Sequence, residues 1–141
     1  MSSLQYYAYS GLGEWARKHL NYSQAVRIGD QIQCSGQGGW QQNLSADGLP
    51  KFPTSIDEEI VQAFSNVDLA LKDAGGKGWS QVFRVNSYHI DLTPEVTGLM
   101  VENFRKWMPD HMPIWTQVGV RQLGADGMNV EIEVVAYDPA Q

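Results

Sequence analysis

At 141 residues, with 43% hydrophobic side chains and a formal charge of −6, the chain has the size of one domain that can bury its own core. That composition excludes extended disorder. The acidic balance, with a pI near 4.9 and basic residues scattered as Arg17-Lys18, Arg84 and Arg105-Lys106, argues against a phosphate-binding surface, so nucleic acid is not an expected partner.

A single cysteine, Cys34, allows no intrachain disulfide and suits a reducing compartment. The start, Met1 to Tyr7, lacks the basic residues and apolar core of a secretory leader. No apolar run approaches the ~20 residues of a membrane span. A cytoplasmic address is expected, with a mitochondrial one left open, and no membrane partner.

In chain order, Leu4–Tyr9 reads as a short aromatic strand and Gly11–Asn21 as a loop or a single helical turn. Tyr22–Ile28 and Gln31–Ser35 alternate around Gly29-Asp30, the pattern of a hairpin with a tight turn. Gly36-Gln37-Gly38-Gly39 fits a strand exit better than a phosphate cradle, since no Lys-Ser/Thr pair follows it. Ser55 and Glu58 have the spacing of a capping box. Ile56, Ile60, Phe64, Val67, Leu71 and Ala74 then recur at helical spacing until Gly75-Gly76. Gln81–Ile90 is a strand. Thr93-Pro94 opens a second helix, which Pro109 ends. Trp115–Leu123 and Asn129–Tyr137 are the last strands.

The expected fold is therefore α+β, a mixed sheet with two helices packed on one face, formed by a single domain over residues 1–141. A sheet apolar on both sides needs a second cover, and another copy of the chain is the simplest one.

Three stretches carry a resemblance. Tyr22-Ser23-Gln24-Ala25-Val26-Arg27-Ile28-Gly29-Asp30 with Ser35-Gly36-Gln37 resembles the opening of the RidA/YjgF family. Val130-Glu131-Ile132-Glu133-Val134-Val135-Ala136 resembles its closing strand, and the helix ending Asp73-Ala74-Gly75 also fits. The resemblance covers residues 22–137. It implies a chorismate-mutase-like fold and a homotrimer with a barrel-like centre and a small-molecule cleft between subunits. It also implies hydrolysis of imines and enamines to a keto acid and ammonia, with no metal and no cofactor, and an imine, enamine or carbonyl small molecule as the ligand.

Carried over by position, the resemblance puts Tyr22 and Glu131 in catalytic places and Ser35 and Gly36 against the ligand. The family's carboxylate-gripping arginine falls on Trp115, and its cysteine on Gln117. An asparagine of the family falls near Thr97-Gly98.

Imine hydrolysis needs a group that takes a proton from the attacking water, and Glu131 has the chemistry for it; the alternative is a strand glutamate satisfied by its neighbours. Indole offers one N–H and no charge, so Trp115 cannot replace a guanidinium fork. It is suited to stacking on a planar, conjugated or aromatic ligand, or to packing at an interface. Arg121 lies ~20 Å further along the same expected strand. Arg84 faces solvent or a cleft. His89 and His111 have no second ligand at metal spacing, and Cys34 reads as a buried filler. Three functions follow: a divergent deaminase-type hydrolase, a catalytically silent ligand-binding or regulatory trimer, and a ribonuclease or translation inhibitor, the last poorly matched to the acidic charge.

Overall fold

Ser55 leaves the preceding loop in an extended conformation, and its hydroxyl oxygen accepts the Glu58 N–H at 3.4 Å. Helix α2 starts there and runs Ile56–Asp73, with Asp57, Glu58 and Glu59 in its positive first turn. Gly75, at φ +92°, lets the chain reverse out of the helix, and the Gly76 N–H closes on the Leu71 carbonyl. The computed structural model describes residues 1–140. Helix α3, Pro94–Trp107, begins in the same way, with Thr93 Oγ1 accepting the Val96 N–H at 3.2 Å.

The strands are β1 (Gln5–Tyr7), β2 (Ala25–Ile28), β3 (Gln31–Cys34), β4 (Gln37–Gly38), β5 (Val82–His89), β6 (Ile114–Gly119) and β7 (Val130–Tyr137). They form one mixed sheet in the order β1-β2-β3-β7-β5-β6, with β4 also paired to β7. Only β5 and β6 run parallel; α3 supplies the crossover between them. The β2–β3 hairpin turns at Gly29-Asp30 as expected, with Ala25 opposite Cys34.

Two expectations need correction. Gly11–Asn21 is not a loop: Leu12–Leu20 is a helix, α1. Its two glycines and short apolar stripe hide it, yet Leu12 and Ala16 are fully buried, so packing stabilises what propensity does not. The sheet therefore carries three helices rather than two. The last strand but one also stops at Gly119 rather than Leu123, so Arg121 lies beyond it.

Strand alternation sorts the side chains onto two faces. Val130, Ile132, Val134 and Ala136 of β7, with Val85, Ser87 and His89 of β5, are buried on the helix side. A register shift between Val82 and Arg84 turns Val82 inward as well. An aromatic ladder ties the layers. Phe64 of α2 stacks on Trp79 at 4.7 Å and meets Phe104 of α3 at 5.6 Å, and Phe104 meets Trp115 of β6 edge-on at 4.8 Å. The other face is open and more polar than expected at its centre, with Glu131, Glu133, Asn86 and Tyr88. Ile114 and Val118 are exposed at its β6 end. Among the described residues, no helix is long and apolar enough to cross a membrane.

Candidate functional site

Glu131 stands on the open face, in register with Tyr88 of β5 and Gly38 of β4. Its carboxyl presses against the backbone at Gly36, so closely that a Cβ there would overlap it. This explains the glycine: the Ser35-Gly36 turn must admit the Glu131 side chain. Burial, and then the like charge of Glu133, push the Glu131 pKa above the ordinary carboxylate range. A carboxylate that holds its proton more readily is a better base toward water.

Around it stand groups that the motif comparison passes over. The Tyr88 hydroxyl donates to Glu133 Oε1 at 2.5 Å, and Asn86 Nδ2 donates to the same oxygen at 3.3 Å. The bond to Glu133 pushes the Tyr88 phenol up to about 12, so it stays protonated. Alternation along β5 places Asn86 and Tyr88 on the Glu131 face, a signal present in the sequence pattern.

Tyr22 and Ser35 meet in a cavity of about 480 Å³ at the ends of β1, β2 and β3, which Tyr6 and Gln33 also line. The Ser35 hydroxyl and N–H both donate to the Gln24 carbonyl, at 3.2 and 2.9 Å. The structure thus brings Tyr22, Ser35, Gly36 and Glu131 to one side.

Trp115 and Gln117 lie elsewhere. In register with Val85 and Ser87, both point to the helix side of the sheet, opposite to Glu131. The Trp115 N–H donates to Ser87 Oγ at 2.9 Å, and Ser87 Oγ is 2.9 Å from His89 Nε2. Thr97 donates to Gln117 Oε1 at 3.1 Å, which turns the Gln117 amide nitrogen toward His89 Nε2 at 3.3 Å. His89 Nε2 thus lies within hydrogen-bond distance of both the Ser87 hydroxyl and the Gln117 amide, and burial pushes the His89 pKa down. The indole, its N–H so engaged, forms one wall of a groove of about 550 Å³ with Phe104, Met108, Met112 and Pro113. Thr97, where the family asparagine falls, belongs to this second cluster. His111 bonds the Val82 carbonyl at 2.7 Å, Arg84 is exposed on the open face, and Cys34 is buried, its thiol pushed up to about 12.

Comparison with known proteins agrees with this fold. The profile of the family described as endoribonuclease L-PSP matches residues 16–138. The RutC family protein YjgH of Escherichia coli (strain K12) is 32% identical over 120 residues, 85% of each chain. A 2-iminobutanoate/2-iminopropanoate deaminase of Dermatophagoides farinae is 33% identical over 116 residues, 81% of this chain and 83% of that one. A Mycobacterium tuberculosis member of the YjgF/YER057c/UK114 family superposes with a TM-score of 0.70 at 27% identity, covering 96% of this chain and 99% of that one. A match that runs from α1 to the end of β7 takes in both clusters of site residues, and the chain belongs to the RidA/YjgF family as a member with tryptophan where the carboxylate-binding arginine is expected.

Proposed function

We propose that the protein is a cofactor-free hydrolase of the enamine/imine deaminase type, acting on a conjugated or aromatic substrate without an amino-acid carboxylate. The observation that carries this reading is Glu131, its carboxyl pKa raised, set against the Ser35-Gly36 turn beside a cavity that holds Tyr22. Water adds to the C=N carbon while Glu131 takes its proton. The imine reacts in its protonated form, so the carbinolamine that results is neutral; Glu131 returns the proton to its nitrogen, the C–N bond breaks, and the hydroxyl proton passes to the departing ammonia as the C=O bond forms. An enamine enters the same sequence after protonation at carbon.

The substrate class follows from Trp115. Losing a guanidinium–carboxylate pair in a semi-enclosed site costs about 2–5 kcal/mol, tens to thousands of fold in affinity. A planar ring against the indole compensates through stacking. Because Trp115 and Glu131 face opposite sides of the sheet, a site that uses both takes them from two copies of the chain. This supports the homotrimer with clefts between subunits that the family resemblance implies.

A panel of neutral and aromatic imines alongside 2-aminoacrylate, followed by ammonia release, tests the reading. Faster turnover of the neutral compounds is expected, and decay of every compound at the buffer rate refutes it. A silent ligand-binding trimer is the second reading, favoured by the internal engagement of Trp115 and Gln117. It predicts thermal stabilisation by planar ligands without turnover.

A further inference from the structure

Behind the Ser35-Gly36 turn runs a chain of buried polar side chains that the reaction itself does not use. Tyr9, in the link between β1 and α1, is 2% exposed, Trp40 is 4% exposed, and Gln24 and Gln37 are fully buried. Trp40 Nε1 donates to the Tyr9 hydroxyl at 3.0 Å, and that hydroxyl donates to Gln37 Oε1 at 2.7 Å. Gln37 Nε2 then donates to Gln24 Oε1 at 2.8 Å and to the Ser35 carbonyl at 3.2 Å.

The direction of this chain is dictated by chemistry. Indole has a donor and no acceptor, so the Tyr9 oxygen accepts from it, and the one Tyr9 proton goes to Gln37. That fixes which way the Gln37 amide points, and its nitrogen can only face Gln24 and Ser35. Gln24 follows the Tyr22-Ser23 wall of the cavity, while Ser35 begins the opposite wall and leads into Gly36 against Glu131. The Gln37 amide therefore adds to the direct bonds from Ser35 to the Gln24 carbonyl in tying the two segments together. Gln24 Nε2 alone of these side-chain groups is buried without a partner, and the remaining bonds are directional, so they favour one arrangement of the segment.

We propose that Trp40, Tyr9 and Gln37 are positioning residues, which act through the Ser35-Gly36 turn to set the substrate against Glu131. This rests on the reading of Ser35, Gly36 and Glu131 as the reaction site. None of the three touches the reacting atoms. They determine where the turn sits, and a displacement near an ångström is enough to cost catalysis about a hundredfold in well-ordered sites.

The test compares Tyr9→Phe, which keeps the ring and removes the hydroxyl that links Trp40 to Gln37, with Trp40→Phe, which leaves Tyr9 in place and releases its hydroxyl. Ser55→Ala, at the remote N-cap of α2, controls for lost stability. Two readings are taken on the whole protein: hydrogen exchange at the Ser35 amide, and kcat and KM for an imine that the wild type turns over.

Tyr9→Phe is expected to speed Ser35 exchange by about tenfold and to lower kcat by about tenfold or more with a smaller change in KM. Ser55→Ala should move neither beyond its global loss of stability. Should Tyr9→Phe not fold, Trp40→Phe carries the same expectation. Unchanged Ser35 exchange, or accelerated exchange with an unchanged kcat, overturns the proposal while leaving Glu131 as the base. Absence of wild-type turnover on every imine removes the reaction instead, and Ser35 exchange alone then decides whether the network holds the turn.

Discussion

Among single residues, Glu131 carries the proposed chemistry. Its folded pKa is raised, so the carboxyl's contribution to stability is fully present below its unfolded value, about 4.3, and is lost as pH rises through the folded value. At neutral pH the ionised group is a cost to the fold. Glu131→Gln is therefore expected to raise Tm at pH 7 but not below about pH 4, in thermal melts across that range, while it removes the base. The acid limb of the kcat/KM profile should lie above the ordinary carboxylate range for the same reason. Gly36→Ala forces the new methyl into the Glu131 carboxyl. Turnover should fall about a hundredfold in a protein whose circular dichroism still matches the wild type. Glu131 enters as a candidate through the resemblance of its strand to a family motif. The bond from Trp115 to Ser87 could not be read from the sequence, because the partner lies 28 positions away on another strand.

At the scale of elements, local signals decided what could be read. Helix α2 announces itself through a cap, an acidic first turn and an apolar stripe closed by glycine, whereas α1 has no side-chain cap and only a short stripe, and it and the two-residue β4 depend on contacts distant in sequence. The Gly36–Gly39 run marks close approach: Gly36 admits Glu131, and Gly39 lies against the Glu59 backbone and side chain. Glu59 also anchors the start of β7, although it is 1% exposed. Its carboxylate accepts the Asn129 and Val130 N–H groups at 2.6 and 3.2 Å and Asn129 Nδ2 at 2.9 Å. Glu59→Ala strands those amides, and urea unfolding should report a loss of roughly 3 kcal/mol. The strand it anchors carries Glu131, so an effect on turnover should accompany the loss of stability.

At the scale of the whole molecule, one chain separates its two clusters. Glu131 with Ser35 and Gly36 lies toward the open face, and Trp115 with Gln117 lies beneath α3. β6 ends the sheet with Ile114 and Val118 exposed and no lysine to discourage pairing. Assembly into a trimer that joins the clusters predicts a solution mass three times the 15.8 kDa chain, measured by light scattering. Val118→Lys should shift that mass toward one chain and lower turnover with it. The central claim remains chemical, and ammonia release from a neutral aromatic imine by wild type and Glu131→Gln tests it most directly. Release well above the buffer rate is expected for the wild type, with a fall of about a hundredfold in the variant; equal release by the two proteins would show that Glu131 is not the base.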